Sequence, residues 1–202
     1  MSLIRDLDSI CINSPCDISR RGEIVYPVFH SKDFTFKTIF PTFWANRKEN
    51  PQLVEYELRR ILKGYQIQTE LYSRSVNVPE PIGMYTMNWD NMNECWNAYA
   101  GEFTLPKEDM QGIPGMLMRR VKGLCGTREN KDFEEPDLVE AEVDKARRLG
   151  YTPSSDYTWN YLIESREKSN ATQPSTKPVV LIDFDSWKSP FSQQNIDGGF
   201  NR

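Results

Sequence analysis

Val179-Val180-Leu181-Ile182-Asp183-Phe184-Asp185 reads as a short apolar strand that ends in an acidic pair. Two carboxylates where a strand emerges from a core suit a hard cation such as Mg²⁺, which takes oxygen ligands and usually comes with a phosphate. Taken alone, the same run fits a strand followed by an acidic turn. The surrounding sequence has to decide.

Working back along the chain, Tyr161 to Ile163 predicts a second short strand, separated from the first by the polar connector Ser165 to Lys177. Before it, Asp137 caps a helix with Glu140 three residues on, and Val139, Val143 and Ala146 share one face until Gly150 stops it. Further upstream, Val54, Leu58, Ile61, Leu62 and Tyr65 recur at helical spacing after Pro51. That predicts one amphipathic helix, with an extension through Glu70 to Ser73, in which Gly64 costs about 1 kcal/mol relative to Ala.

The first forty residues predict strands over Ser9–Ile12, Glu23–Phe29 and Phe34–Phe40, rich in aromatic and β-branched residues and parted by Pro, Gly, Asp and Ser. A small antiparallel sheet follows from them. Val78-Pro79-Glu80-Pro81-Ile82-Gly83 ends the long helix and opens another strand pair, because each proline drives its predecessor toward extended geometry. Asn88 to Gly112 is polar, Met-rich and punctuated, and reads as an inserted loop. Gly115 to Val121 returns to strand character, and Lys122-Gly123 reads as the turn that leaves it.

The chain has 202 residues, 38% of them hydrophobic and 12% aromatic, enough to bury a core in one domain or one two-lobed unit. With 25 Lys and Arg against 29 Asp and Glu, the net charge is -4, which leaves no basic footprint for nucleic acid or anionic membrane. The opening Met1-Ser2-Leu3-Ile4-Arg5-Asp6 has no apolar run, and no stretch approaches the roughly 18 apolar residues of a membrane span. A soluble, cytoplasmic protein is expected. Cys11, Cys16, Cys95 and Cys125 form no C-x-x-C pair and, with His30 as the only histidine, make a poor zinc set. They are expected to be reduced thiols and His30 a structural residue. Asn170-Ala171-Thr172 matches a glycosylation acceptor that has meaning only for a secreted chain.

In order, these pieces are a sheet carrying Lys37, a helix carrying a glutamate, a connecting strand, a helix, and a strand pair ending in Asp-Phe-Asp. From Ser9 to Trp187 the chain resembles the protein-kinase-like superfamily, which includes protein kinases and small-molecule phosphotransferases. The resemblance implies an α+β, bilobal fold. Residues 1–121 would form an N-lobe with a small antiparallel sheet, a helix and an insert around 84–114. Residues 122–202 would form a reduced helical C-lobe with a segment like a catalytic loop and the Asp-Phe-Asp run.

The resemblance also assigns roles. Lys37 in Phe34-Thr35-Phe36-Lys37 matches the lysine that steadies the α- and β-phosphates of ATP, although alternation among aromatics by itself makes it a solvated lysine. Glu70 matches the helix glutamate that pairs with it, one short step before Val78, and Glu57 is the alternative. Met118, Arg119, Arg120 and Val121 match the hinge that offers backbone groups to adenine; read plainly they are an edge strand. Asn160 and Asp183 match the ligands of Mg²⁺, with Asp185 where the family has glycine.

The match departs from the pattern at the catalytic loop, Gly150 to Ile163, where Pro153 replaces the histidine and Ser155 the catalytic aspartate. A serine cannot accept a substrate proton at neutral pH as a carboxylate does, but Asp156, one residue out of register, supplies a carboxylate if the loop is reshaped. Asn13 to Gly22 has a single glycine where a glycine-rich loop closes over phosphates, leaving Arg20 or Arg21 as electrostatic substitutes. Only 17 residues follow Asp185, too few for the elements that receive a peptide substrate. Three readings remain open: a kinase-like domain that binds ATP and Mg²⁺ with weak or absent phosphotransferase activity; an active phosphotransferase with Asp156 as base; and a non-catalytic scaffold. The scaffold would take a protein partner through residues 84–118, where Trp89, Trp96, Met87 and Met92 are anchor-type side chains.

Overall fold

The computed structural model describes residues 9–11, 17–19, 28–88, 111–125, 136–153, 160–164 and 179–190. The fold is mixed α and β, with a small, largely antiparallel sheet and few helices. Two compact units are present, Met1–Tyr65 with Glu80–Arg120, and Gln66–Pro79 with Val121–Arg202.

The first unit is a six-stranded sheet in the order β1-β5-β6-β4-β3-β2. Its strands are β1 (Ser9–Cys11), β2 (Asp17–Ser19), β3 (Val28–His30), β4 (Phe34–Thr38), β5 (Pro81–Asn88) and β6 (Ile113–Arg119). β5, β6, β4, β3 and β2 pair antiparallel in succession, whereas β1 adds to β5 in parallel, Ser9 opposite Thr86. β1 and β2 thus lie on opposite edges.

Two expectations change here. Asp17–Ser19, expected within a glycine-poor loop, is a strand paired with β3. Residues Met84–Asn88 and Ile113–Pro114 are not insert but parts of two inner strands of the sheet, β6 continuing into the strand expected from Gly115, and Met87, Met116 and Met118 are core residues. Pro114 hides the start of β6, because a proline reads as a break in a strand. Trp89, Met92 and Trp96 lie outside the described residues.

Gly115 sits opposite Thr38 on β4 and Tyr85 on β5. A Cβ there would lie 2.4 Å from the Lys37 carbonyl oxygen and 2.7 Å from Phe36 Cζ. Only glycine lets these strands approach so closely. Phe29, Phe36, Ile39, Trp44, Val54, Leu58, Ile61 and Ile113 fill the core below. Trp44 comes from a short helix, α1 (Pro41–Ala45), and Val54, Leu58 and Ile61 from α2 (Pro51–Ser73). The spacing predicted this face and its extension to Ser73. His30 hydrogen-bonds across the β3–β4 pair to Thr35 Oγ1 at 3.0 Å, a structural role.

The second unit has a three-stranded sheet, β7 (Gly123–Cys125), β8 (Tyr161–Glu164) and β9 (Val179–Leu181), antiparallel throughout, and the helix α3 (Pro136–Arg148). Gly123, expected in a turn, starts β7. Ile67, Leu71, Val76 and Val78 pack with Val139, Val143, Ala146, Val179 and Leu181, which is why the segment Gln66–Pro79 belongs to this unit. α3 ends as the sequence predicts. Gly150, at φ +87°, donates to the Arg147 carbonyl at 2.8 Å and Tyr151 to that of Ala146 at 3.1 Å, closing the orphan carbonyls of the last turn. Among the described residues, no helix is long and apolar enough to cross a membrane.

Candidate functional site

In the second unit, β8 and β9 bring Asn160 and Asp183 to the same end of the small sheet. Tyr161 pairs with Leu181, and one step further the Ile182 N–H donates to the Asn160 carbonyl at 2.9 Å. Asp183 comes next, and its backbone is left-handed, φ +64°. For a residue with a Cβ this costs about 1–2 kcal/mol, although Asp and Asn bear it best. Such strain persists only where the surroundings over-determine it, and it clusters at functional sites. The turn redirects the chain so that Phe184 goes into the core, edge-to-face with Trp187 at 5.1 Å, while Asp183 remains half-buried.

An amide and a carboxylate offer hard oxygen atoms. Mg²⁺ is commonly held by one or two protein groups, with waters and substrate phosphates completing its shell, rather than by an all-protein cage. Among the described residues no three His, Cys, Asp or Glu side chains converge as a cage would need. Oxygen donors of this kind are what a Mg²⁺ ion takes. Asp185, expected only to stand in for a glycine, is a buried acid at 4% exposure. Asp156 and Ser155 lie outside the described residues, as do Arg20 and Arg21.

The first unit holds the other candidates. Lys37 is buried at 7% exposure, facing Val28 on β3 and Met116 on β6, so the solvated reading of this lysine is overturned. Alternation misled because β4 is covered on both faces from Thr35 to Thr38. Glu57 is the buried glutamate of α2, at 5% exposure in the same unit, with Oε2 lacking a hydrogen-bond partner and Oε1 3.8 Å from Arg60. Glu70 belongs to the second unit, its side chain 40% exposed and 3.8 Å from Arg74. The sequence carried this signal: Glu57 lies three residues after Val54 and four before Ile61, on the apolar face.

The four hinge candidates divide. Met118 is inside the ladder, opposite Thr35 and Pro81. The Arg119 N–H donates to the Glu80 carbonyl at 2.9 Å, and its guanidinium lies over the Phe34 ring and against Glu80. The Arg120 N–H donates to the Asp33 carbonyl at 2.9 Å, and its Nη1 to the Ser31 carbonyl at 2.7 Å. Arg120 thus clasps the β3–β4 turn. These two N–H groups are committed within the protein.

Two tyrosines in the second unit have raised pKa values. Burial lifts both, and for Tyr151 the nearby Glu70 carboxylate adds to the effect while a hydrogen bond with Ser189 and the Arg74 charge oppose it.

No protein-family model and no curated protein sequence matches the chain. Among solved structures it is similar to the Rio2 kinase of Chaetomium thermophilum, crystallised as an ADP/Mg²⁺–phosphoaspartate complex, with 14% identity and a TM-score of 0.49. The similarity covers 87% of this chain and 49% of that one, so the chain spans about half the length of that kinase.

Proposed function

We propose that the chain is a kinase-like domain that binds ATP with Mg²⁺ and has weak or absent phosphotransferase activity. Asn160 and Asp183 are the proposed metal ligands. Lys37 is the proposed phosphate-steadying lysine, and Glu57 takes the place of Glu70 as the helix carboxylate. The observation that carries the proposal is the pairing of Asn160 with the strand end that delivers a strained, half-buried Asp183. Bound Mg²⁺ would neutralise phosphate charge; the protein's own part is to present two oxygen donors from adjoining strands.

The test is thermal unfolding with and without ATP and Mg²⁺. A site of micromolar dissociation constant at millimolar ligand stabilises by about 4 kcal/mol. Asp183→Asn keeps a residue that tolerates the left-handed backbone but removes the charge, so the ligand-free melting temperature should hold while the Mg²⁺-dependent shift collapses. No shift in the wild-type chain with any nucleotide would end the reading.

A further inference from the structure

β9 pairs with β8 on one side only, which leaves its outer edge without a strand. Among the described residues, Asn77 sits on that edge. Asn77, in the segment that follows α2, donates from its side-chain Nδ2 to the Val179 carbonyl at 2.6 Å, and its backbone carbonyl accepts from the Leu181 N–H at 2.9 Å. It thereby satisfies one outward backbone group of each residue, as a neighbouring strand would. On the inner side, Asn160 takes the Ile182 N–H. Leu181 and Ile182 are therefore gripped from opposite sides immediately before the chain turns into the left-handed Asp183.

Asn77 is itself held. Its N–H donates to Glu142 Oε2 of α3 at 3.1 Å, and Glu142 pairs with Lys145 at 2.6 Å. Two residues earlier Ser75 adopts φ +61° to close the end of α2, with Ser75 N–H on the Tyr72 carbonyl and Val76 N–H on that of Leu71. Two residues later the Pro79 carbonyl accepts from Gln68 Nε2 at 2.7 Å, a buried bond. The segment has little freedom to drift.

We propose that Asn77 is a positioning residue for the metal ligand Asp183, fixing the end of β9 so that the strained turn holds its carboxylate in place. This rests on the reading of Asp183 as a ligand. Outer-shell partners that orient a ligand commonly change metal affinity by about 10- to 100-fold when removed.

Asn77→Asp is the informative variant, because it preserves size and turn preference but sets an oxygen against the Val179 carbonyl. Gln68→Ala is the control; it breaks a buried bond in the same segment without touching β9. ATP affinity is measured with Mg²⁺ and again with the metal chelated. Asn77→Asp should weaken the Mg²⁺-dependent gain at least about tenfold and leave metal-free affinity within about twofold. Gln68→Ala should lower the melting temperature and leave the ratio unchanged. An unchanged ratio in Asn77→Asp, or an equal loss in Gln68→Ala, overturns the proposal.

A second readout needs no ligand: the backbone chemical shifts of Asp183 report its left-handed conformation. They should move toward extended values in Asn77→Asp but not in Gln68→Ala. If wild-type protein shows no Mg²⁺-dependent binding, the metal reading fails while this arm still decides whether Asn77 holds Asp183; unmoved shifts would overturn that too. Should Asn77→Asp not fold, Glu142→Gln weakens the grip on Asn77 from the far side and is expected to move both readouts in the same direction.

Discussion

Gly115→Ala tests whether the close approach of β6 to β4 governs the first unit. The new Cβ would stand 2.4 Å from the Lys37 carbonyl oxygen, where a carbon–oxygen contact normally needs about 3.3 Å. The strands would have to part by about 0.9 Å. A ladder bond of about 2.9 Å would then stretch to about 3.8 Å and cease to be a hydrogen bond. Losing one such bond and burying its groups unpaired costs about 1–3 kcal/mol. The Phe36 ring, fully buried, must also yield to a Cβ at 2.7 Å from Cζ, and overpacking of this kind costs about 1–3 kcal/mol. The sum is about 2–6 kcal/mol, a large part of the roughly 5–15 kcal/mol that holds a native protein together. The melting temperature should fall by roughly 4–24 °C. Urea unfolding followed by circular dichroism gives the free energy directly. Gly112→Ala is the comparison: at φ +71° with no atom within 4 Å of a new Cβ, it carries only the backbone cost of about 1–2 kcal/mol. If Gly115→Ala loses less than about 1 kcal/mol, or no more than Gly112→Ala, the steric reasoning is refuted.

Ser75→Gly should stabilise the chain by about 0.5–1 kcal/mol, because the serine closes α2 in a left-handed conformation that glycine adopts freely; a melting temperature that stays level or falls would count against it. Stability should also decline at alkaline pH. With folded-state tyrosine pKa values raised above the ordinary value of 10.0, the unfolded chain ionises first, so stability is intact below about pH 10 and is lost as pH rises toward the folded pKa. Tyr151→Phe should flatten that decline in denaturation curves taken across this range, and an equally steep fall in the variant would mean that Tyr151 contributes nothing to it.

The helices were legible because their information is local. Val54, Leu58 and Ile61 repeat at helical spacing, and the end of α3 at Gly150 follows from one residue able to take a left-handed turn. The sheet was legible only in parts. Whether a strand is covered on one face or both depends on residues distant in sequence, so the alternation around Lys37 suggested solvent where the fold supplies Val28, Met116 and a closed core. The parallel addition of β1 to β5 and the inner position of β5 and β6 are pairings between distant segments that no local pattern encodes.

The same distinction runs through the candidate site. Asp183 and Asn160 stood out because each ends or begins a short apolar run, and the pairing of those two runs brings them together. Glu57 and Glu70 differ in a way the helical face already carries: Glu57 falls on the buried stripe, and Glu70 lies on the exposed side beside Arg74. Asn77 had no local signal at all. It bonds to Val179 across 102 positions, and its value lies in finishing a strand edge that exists only after folding. A proposed ligand and the group proposed to restrain it therefore leave unequal traces. The ligand needs a particular chemistry, which restricts the residue type and makes it visible in sequence. The restraint needs only a donor and an acceptor at the right spacing, which many residues of a loop can supply, so it becomes visible only in the hydrogen bonds of the folded chain.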